Sequence, residues 1–366
     1  SSINGMIYIR SQPEDYDHWA QMGNRGWDAA GTFPYFRKAE NWDGPADDVH
    51  AKGGPLFTSQ NRDRPALCEA AIEAGQQMGW EYRRDLNDLP HSLGDHVGWV
   101  QQTRGGRFRA SAARSYLHPA MRRPNLRVVT NAMVHRLVLN GKRATGVEFS
   151  RGGKTEFANA NAEVILAAGA IGSPHLLQLS GIGDPDHLGR IGIETQHALN
   201  GVGKNFQDHF IVRVQASVQN IATLNERSRG IRFAGELMKY ALNGTGMLTY
   251  AASLLSASVK VLPESATPDV QALFSSASFA LGPKRVLEKT PGMTSGVWQM
   301  RPESRGYVEA VSADPHEQLA INPNYMAEER DRRTVVAGLR MVRDWFNAPA
   351  LKQYLVAEKF PGADLQ

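Results

Sequence analysis

Apolar residues recur at helical spacing in two stretches of the chain. In the first, 65–79, four small or aliphatic residues share one helix face: Leu67, Ala70, Ala71 and Ala74. Gly79 suits the end of that helix. In the second, 327–346, four apolar residues form one stripe at spacings of 4, 3 and 4: Val335, Leu339, Val342 and Phe346. Both patterns predict helices packed on a core, and residues near 110–121 predict a third helical stretch.

The segments between these helices carry strand patterns. Three β-rich runs follow one another at 126–130, 133–139 and 144–149, and Asn140-Gly141 predicts a hairpin because it supplies the positive φ angles of a tight turn. Residues 211–320 are β-rich again, with a helical insert near 227–243. The runs predicted as strands of an antiparallel sheet in that part are 269–274, 295–300 and 306–311.

A different pattern occupies 164–181. The continuous apolar run from Val164 to Ala168 predicts a strand buried on both faces, as in a parallel sheet. Ser173 suits an N-cap and Pro174 the first helical position, and Gly181 suits the helix end. The predicted buried face of this helix is Leu176, Leu177 and Leu179. A strand, glycine turn and helix can hold an anionic ligand at the helix N-terminus, but many α/β proteins have this unit for structural reasons alone.

Composition narrows the class of protein. A chain of 366 residues favours one large domain or two interleaved domains. Lys and Arg number 41 against 37 Asp and Glu, and the short basic patches ERDRR (329–333) and RGGRFR (104–109) favour solvated faces or structural pairs over nucleic-acid binding. Cys68 is the only cysteine, which excludes a disulfide framework and a Cys-rich zinc site and favours a small buried side chain.

Common catalytic and metal motifs are absent from the sequence. His91, His96 and His209 belong to no HExxH or CxxC pattern, so no metal site is predicted. There is no GxSxG nucleophile elbow, which argues against a hydrolase. No apolar run reaches the roughly 18 residues of a membrane helix.

One long gapless motif carries a family resemblance. GAIGSPHLLQLSGIG (169–183) resembles the second signature of the glucose–methanol–choline (GMC) oxidoreductase family. That signature is Gly, a small residue, two variable positions, Ser/Thr-Pro, an aliphatic pair and then Ser-Gly-aliphatic-Gly. The stretches RASAARSYLHPAMRRPNLRVVTNAMV, LNGVGKNFQDH, MRPESRGYV and INPNYMAEERD are similar to other parts of the family, in the right order. The resemblance covers nearly the whole chain and is nearest to the branch of choline and polyethylene glycol dehydrogenases.

The beginning of the chain fits the same resemblance. The family's first signature runs Gly-Gly-Ser-Ser-x-aliphatic-Asn-Gly/Ala-Met, and this sequence starts inside it at Ser1. The family's N-terminal GxGxxG unit and its C-terminal His-Pro-x-Gly-Thr segment, which carries the catalytic base, have no match here. We therefore expect a fragment, incomplete at both ends and inactive by itself, with the catalytic His beyond Gln366.

The resemblance implies an α/β fold with an α+β substrate part. Two interleaved domains are expected: a partial FAD-binding domain at 1–35 and 121–210, and a substrate-binding domain at 36–120 and 211–325. A connecting helix and C-terminal segment would occupy 326–366.

The resemblance also implies site residues. The flavin would be lined by Ser1, Ser2, Asn4, Gly5, Met6 and Ile7. Val134 matches the position whose backbone meets the adenine. Without the resemblance, Asn4 reads as a turn residue and Val134 as a strand core residue. Ile3 stands where some relatives attach FAD through a His, so non-covalent FAD is expected. His209 matches a Gln-Asp-His structural segment rather than the base.

The implied activity is FAD-dependent oxidation of an alcohol, choline-like or another primary alcohol, by hydride transfer to flavin N5. The alternatives are a family member without net redox chemistry (a hydroxynitrile lyase or a photodecarboxylase) and a non-catalytic truncated product. The expected partners are a small-molecule alcohol and an electron acceptor that the sequence does not identify. Nucleic acid and a transmembrane segment are not expected, and the location would be cytoplasmic or peripheral to a membrane.

Overall fold

A computed structural model describes residues 4–88, 94–280, 282, 286–362 and 364. The chain divides into two compact units. The first comprises Ser1–Leu126, Ile211–Met300 and Arg333–Gln366, and the second Arg127–Phe210 and Arg301–Arg332. Both units are discontinuous in sequence. They are defined by compactness alone, so the expected assignment of flavin and substrate parts stays a prediction.

The regular structure of the described residues comprises twenty strands, ten α-helices, a π-helix at Ala113–Leu117 and a 3-10 helix at Met247–Thr249. The strands are β1 (Ile7–Tyr8), β2 (Glu40–Trp42), β3 (Leu56–Gln60), β4 (Glu81–Arg83), β5 (His96–Trp99), β6 (Gln101–Gln102), β7 (Arg104–Gly105), β8 (Phe108–Arg109), β9 (Met133–Asn140), β10 (Arg143–Arg151), β11 (Lys154–Asn159), β12 (Ile182–Gly183), β13 (His197–Ala198), β14 (Val212–Val218), β15 (Leu255–Val259), β16 (Val270–Ser275), β17 (Gly292–Gln299), β18 (Tyr307–Glu309), β19 (Ala320–Asn322) and β20 (Leu355–Phe360). The helices are α1 (Pro13–Gln21), α2 (Ala29–Ala39), α3 (Ala66–Gln77), α4 (His118–Ala120), α5 (Gly169–Leu179), α6 (Pro185–Arg190), α7 (Leu224–Arg227), α8 (Gly230–Asn243), α9 (Glu329–Asn347) and α10 (Pro349–Lys352). A π-turn over Ala113–Leu117 precedes α4, which confirms helical structure near 110–121.

The core of the first unit is a seven-stranded sheet in the order β20-β14-β17-β16-β15-β5-β4. Every neighbouring pair is antiparallel except β4 and β5. In the centre, Val270 pairs with Gln299 and Phe274 with Ser295. The strands predicted at 269–274 and 295–300 are therefore confirmed as antiparallel neighbours.

Two predicted helices cover this sheet. Helices α3 and α9 occupy the stretches predicted at 65–79 and 327–346, and Gly79 has φ +88° just beyond α3. On α9, Trp345 is fully buried and its indole Nε1 donates to the Ala71 carbonyl at 2.8 Å. Its ring lies 5.4 Å from that of Phe274, between centroids. One aromatic side chain thus joins both helices to the central strand.

The helical insert predicted near 227–243 is also confirmed. Thr223 and Glu226 form a capping box at the start of α7, because each side chain accepts from the other residue's backbone N–H. Helix α8 follows and ends at Gly244, whose φ of +63° suits a glycine C-cap.

The second unit holds a three-stranded meander in the order β11-β10-β9. The predicted hairpin between β9 and β10 is confirmed, with Arg143 opposite Asn140. The turn residues are Gly141 and Lys142, and Gly141 has φ +55°. The prediction for 126–130 is wrong, since no residue of that run belongs to a strand. The run 306–311 contains β18, but β18 pairs with β19 in a separate two-stranded sheet.

The predicted strand 164–168 is also wrong. This run has no regular secondary structure, and Ile165 is 77% exposed. Its five residues are apolar, but they pair with no strand among the residues described here, so no ladder forms. An apolar run predicts burial, whereas a strand also needs a neighbour to accept its backbone hydrogen bonds.

Helix α5 begins earlier than predicted. Its N-cap is Ala168, and Pro174 lies inside the helix rather than at its first position. Ser173 does not cap the helix: its hydroxyl accepts from the Ala168 N–H at 3.2 Å. The three leucines of the predicted buried face are only half-buried, and the buried side chain is Gln178, whose amide donates to the Val308 carbonyl at 3.0 Å. The predicted stop is confirmed, with Gly181 at φ +75° after the helix.

Candidate functional site

The signature segment at the start of the described chain lies on a small sheet of the first unit. The strand order is β1-β6-β3-β2, with Ile7 opposite Gln102 and Tyr8 opposite Gln101. Ser1, Ser2 and Ile3 lie outside the described residues. Of the predicted flavin-contacting residues, the structure therefore describes Asn4, Gly5, Met6 and Ile7, which are consecutive and enter β1 directly.

Asn4 and Met6 form a fixed turn in this segment. The Asn4 Oδ1 accepts from the Met6 N–H at 2.8 Å, and Met6 has φ +61°, in the left-handed region. A methionine in that region costs about 1 kcal/mol or more and persists only where surrounding contacts impose it. Those contacts include Thr103, whose N–H donates to the Met6 carbonyl at 2.8 Å.

Arg109 closes over the same turn. Its Nη1 donates to the Asn4 Oδ1 at 2.6 Å and to the Asn4 carbonyl at 3.0 Å. These charge-assisted bonds fix the direction of the Asn4 side chain. Arg109 belongs to the RGGRFR patch, for which a structural role was one of the two favoured interpretations.

Gly5 sits where the backbone packs closely. Its carbonyl accepts from the Ala252 N–H at 2.9 Å, and a Cβ at Gly5 would lie 3.1 Å from the Ala252 Cβ. The close contact at this glycine is thus made to the protein's own Ala252. The contact ties the signature segment to the segment just before β15.

Gln102 offers unused hydrogen-bonding capacity beside this segment. It is 1% exposed, yet within the described part of the chain neither its amide nitrogen nor its amide oxygen has a hydrogen-bond partner. Leaving a buried amide unpaired costs about 1–3 kcal/mol. A ligand that both donates and accepts hydrogen bonds would remove that cost, and a flavin ring edge has this chemistry. The residues present therefore fit the expected cofactor.

A buried ionic network supports the segment from behind. His50 Nδ1 lies 2.9 Å from the Glu40 Oε2 and His50 Nε2 lies 2.7 Å from the Asp85 Oδ2. Arg10 Nη2 lies 3.2 Å from the same Glu40 oxygen. The side chains of Arg10, Glu40 and His50 are at most 3% exposed, and that of Asp85 is 26% exposed. Two cations and two carboxylates are thus held together in a largely dry interior.

Asn87 joins this network to β1. Its Oδ1 accepts from the Arg10 N–H at 2.6 Å, and its Nδ2 donates to the Tyr8 carbonyl at 3.1 Å. Gln101, opposite Tyr8 in the sheet, donates through Nε2 to the Asp85 Oδ1 at 2.7 Å. The backbone on both sides of Ile9 is therefore positioned by the network.

The charges in the network shift the pKa values of its members. Burial, the largest influence, lowers the pKa of His50, but the hydrogen bonds and charges of Asp85 and Glu40 outweigh it and raise that pKa to about 9. For Glu40, burial raises the pKa, and the bonds from His50 and Thr58 lower it below its usual value. His50 is thus a cation at neutral pH, and Glu40 and Asp85 are anions.

A cavity of about 740 Å³ opens beside His50. Trp42 stacks on the imidazole at 4.3 Å between ring centroids. The charged residues that line the cavity are Asp43, Asp47, His50, Arg62, Arg64, Glu81, Arg83, Arg84, Asp85 and Asp88. Because both signs are equally represented, the cavity favours neither a cationic nor an anionic ligand.

The remaining predicted residues lie elsewhere. Val134 is in β9 of the second unit, half-buried and opposite Phe149. His209 is exposed in that unit, and its neighbour Asp208 accepts a hydrogen bond from the Tyr325 hydroxyl. His91 lies outside the described residues, and burial lowers the pKa of His96. Over the ranges that the structure describes, no three His, Cys, Asp or Glu side chains are grouped to hold a metal ion.

The sequence matches family models over most of its length and curated proteins over its whole length. The N-terminal and C-terminal sequence models of the GMC oxidoreductase family match residues 1–211 and 302–365. The chain is 35% identical over 366 residues to the mitochondrial choline dehydrogenase of Homo sapiens, covering 100% of this chain and 61% of that protein. It is 36% identical over 373 residues to the oxygen-dependent choline dehydrogenase of Photobacterium profundum, covering 100% of this chain and 64% of that protein.

A solved structure of a flavoenzyme has a similar fold. The FAD-dependent oxidoreductase from Chaetomium thermophilum matches with a TM-score of 0.86 and 25% sequence identity, over 100% of this chain and 71% of that chain. The mixed α/β fold is thus the FAD-binding fold of GMC flavoenzymes. The chain itself spans less than two thirds of the length of the two curated relatives. With both family models matched in order along the sequence, the chain belongs to the GMC oxidoreductase family.

Proposed function

We propose that the protein containing this chain oxidises an alcohol, choline-like or another primary alcohol, to the aldehyde with FAD as cofactor. The observation that carries the proposal is the signature segment Asn4–Ile7, held by Arg109 and Thr103 in a conformation that its own sequence does not favour. Strained backbone of this kind is retained where a site needs it. Two relatives that are choline dehydrogenases support this substrate class.

FAD, when bound, would accept the hydride from the alcohol carbon. The chain's own residues would bind and orient it. Asn4, Gly5, Met6 and Ile7 would contact the flavin together with Ser1 and Ser2, and Gln102 has the free amide to hydrogen-bond it. Val134 would meet the adenine. In this proposal 1–35 and 121–210 belong to the flavin part, and 36–120 and 211–325 to the substrate part.

The proton on the alcohol oxygen needs a base. We place that base, a His, in a part of the protein beyond Gln366. Such a general base typically contributes about 10²–10⁴-fold to the rate. Within the chain, His209 carries no such role in the proposal.

Full-length protein tests the proposal directly. A flavin absorbance band that bleaches on adding choline or a primary alcohol, together with aldehyde formation and dye reduction, is the expected result. A flavin band that stays unbleached while a cyanohydrin releases its aldehyde would identify a lyase instead. A purified protein without any flavin band would mean a non-catalytic product.

Replacing Arg109 by glutamine is expected to weaken FAD binding about tenfold. The change removes two charge-assisted hydrogen bonds to Asn4, each worth roughly 1.5–3 kcal/mol before the discount for the partial exposure of this site. Equilibrium dialysis of the full-length apoprotein against FAD measures the dissociation constant. Arg107→Gln is the matched control, because Arg107 lies on the same hairpin but donates to the Leu242 carbonyl. Equal FAD affinity in Arg109→Gln and wild type would remove Arg109 from the site.

The flavin is expected to be bound without a covalent bond. Ile3, directly before Asn4, has an aliphatic side chain with no nucleophilic nitrogen to attack the flavin 8α-carbon. Acid precipitation of the full-length protein should leave yellow FAD in the supernatant. Colour that stays with the pellet and survives denaturing electrophoresis would contradict this expectation. Ile3→His is the informative variant, since it places a nucleophilic ring nitrogen at the position that some relatives use for covalent attachment.

A further inference from the structure

Helix α8 turns apolar side chains toward solvent, which is the reverse of an ordinary surface helix. Its 14 residues span about 21 Å. Ile231, Met238 and Leu242 recur at intervals of 7 and 4 and form one stripe, and they are 90%, 61% and 69% exposed. In most surface helices the apolar stripe faces the core and the charged face meets water.

The inward face of α8 is fixed by charge. Glu236 is 4% exposed and accepts from the Met247 N–H at 2.9 Å. Arg227 Nη2 and Lys239 Nζ each lie 3.0 Å from its Oε1. This buried carboxylate anchors the polar side of the helix to the protein, so the helix cannot roll to bury its apolar stripe.

The apolar surface continues beyond α8 onto the β7–β8 hairpin. Arg107 Nη2 donates to the Leu242 carbonyl at 3.2 Å, and the Tyr240 hydroxyl donates to the Arg107 carbonyl at 3.2 Å. Phe108 on this hairpin is 51% exposed, and Leu248, just after the helix, is 41% exposed. We call the exposed side chains of Phe108, Ile231, Leu237, Met238, Leu242 and Leu248 the α8 surface.

The charges around the α8 surface are mainly positive. Residues 226–248 contain four basic and two acidic residues. Both acids are in ion pairs, Glu226 with Arg232 and Glu236 with Arg227 and Lys239. Asp63, from outside this range, also pairs with Arg227. The Arg229 guanidinium donates to backbone carbonyls of Asn225, Leu287 and Glu288. The positive charges of Arg229 and Arg107 are thus engaged by neutral carbonyls in these bonds.

We propose that the α8 surface binds a lipid bilayer that contains anionic lipids, with α8 lying in the plane of the interface. An apolar stripe beside basic residues on a helix with a polar opposite face is typical of interfacial helices. Within the described residues, no helix is long and apolar enough to cross a bilayer. A second copy is a poorer occupant, because a two-fold contact would bring the same positive rims together. This inference does not depend on the proposed redox activity.

Vesicle flotation of the full-length protein tests the proposal. We expect binding to vesicles of phosphatidylcholine with phosphatidylserine and weak binding to phosphatidylcholine alone. Raising the salt should weaken the binding, since the Debye length falls from about 10 Å at 0.1 M to about 3 Å at 1 M. Leu242→Glu and Ile231→Glu should each reduce binding by about tenfold, because each places a charge in the exposed stripe that the bilayer would cover.

A matched control and a spectroscopic probe make the result specific. Val336→Glu changes another helical aliphatic residue that is 48% exposed, on α9, and should bind like wild type. Met238→Cys can be labelled with an environment-sensitive fluorophore, because Cys68, the only cysteine of this chain, is fully buried. Any cysteine elsewhere in the full-length protein is first replaced by serine. A blue shift of the label on adding anionic vesicles is expected.

Each contrary outcome overturns the proposal. Binding to neither vesicle, or binding that Leu242→Glu leaves unchanged, removes the α8 surface from any lipid contact. If Leu242→Glu instead lowers the oligomeric mass measured by light scattering and vesicles have no effect on the label, the surface is an interface between copies. A label that is blue-shifted without vesicles in a monomer would show that another part of the full-length protein covers α8.

Discussion

Replacing His50 by alanine is expected to lower the free energy of unfolding by about 3–5 kcal/mol near pH 6, the usual cost of removing one partner from a buried ion pair. The imidazolium lies between the Glu40 and Asp85 carboxylates at 2.9 and 2.7 Å. Without it, Glu40 keeps Arg10 at 3.2 Å and the hydroxyl of Thr58, but loses its shortest cationic contact. The loss of His50 should also make β1 less rigid, because Asn87 and Gln101 join this network to the signature segment.

The pH dependence of that loss has a definite sign. The pKa of His50 is raised to about 9 in the folded protein, from an ordinary value of 6.5. A raised cation pKa contributes its full stability below pH 6.5, and the contribution declines as pH rises through 9. At about 1.4 kcal/mol per pKa unit, wild type should lose roughly 3 kcal/mol between these limits. The difference between wild type and His50→Ala should therefore shrink at alkaline pH.

Denaturant unfolding of wild type and variants across this pH range measures the effect. His50→Gln retains hydrogen-bonding groups without the charge, so its stability should not show the alkaline decline. His18→Ala, at an exposed position of α1, is the control for general effects of losing a histidine. A constant difference between wild type and His50→Ala from pH 6 to pH 10 would show that folding does not raise the pKa of His50.

Local sequence patterns were sufficient for the longer elements. The apolar stripes of α3 and α9 and the turn glycine of the β9–β10 hairpin each predict structure from residues within one or two turns of each other. In β16, the buried residues Val270, Ala272 and Phe274 alternate with half-buried ones, which is the two-residue period of a strand. In these elements, local preference and packing agree.

Long-range pairing was not predictable in the same way. Residues 164–168 have the composition of a buried strand, but composition does not supply a neighbouring strand. In α5, Ser173 and Pro174 suit a helix start, yet the helix begins at Gly169 and Gln178 makes the buried contact to Val308. Capping preference is worth about 1 kcal/mol, which tertiary contacts easily exceed.

The candidate site shows the same division. The signature segment was predicted through the family resemblance, whereas Arg109 and the network of Arg10, Glu40, His50 and Asp85 were missed. Members of the network lie up to 75 positions apart, so no periodic signal joins them. The only signal in the sequence is that these residues are charged. Sequence alone does not show that they are buried together, so it could not single them out. The fold brings them together under β1, where they determine the position of the residues proposed to meet the flavin.

A second buried cluster fixes α8, and its central residue is Arg227. Nη2 of Arg227 lies 2.9 Å from the Asp63 Oδ2 and 3.0 Å from the Glu236 Oε1, and Nη1 donates to the Tyr250 hydroxyl at 2.9 Å. Burial raises the pKa of Asp63, but the hydrogen bonds from Tyr250 and Arg227 outweigh it, so that the net shift is downward. The pKa of Glu236 is lowered against burial by the Met247 N–H, Lys239 and Arg227. Both carboxylates therefore stabilise the fold above their unfolded pKa values, and this stability is lost as the pH falls through their folded pKa values.

Replacing Arg227 by methionine is expected to cost about 2–3 kcal/mol at neutral pH, less than a fully buried pair because its side chain is 17% exposed. The loss should shrink toward acid pH, where Asp63 and Glu236 become protonated and no longer need a cation. Arg232→Met is the matched control: its pair with Glu226 lies at the surface, with the Arg232 side chain 61% exposed, and should be worth at most about 1 kcal/mol.

In the double variant Arg227→Met with Asp63→Asn, one of the two carboxylates left without Arg227 is gone, so the cost should be smaller than the sum of the single changes. Strict additivity of the two substitutions, measured by denaturant unfolding at neutral pH, would show that Asp63 and Arg227 do not interact. A cost for Arg227→Met no larger than that for Arg232→Met would remove Arg227 as the anchor that holds the apolar stripe of α8 toward solvent.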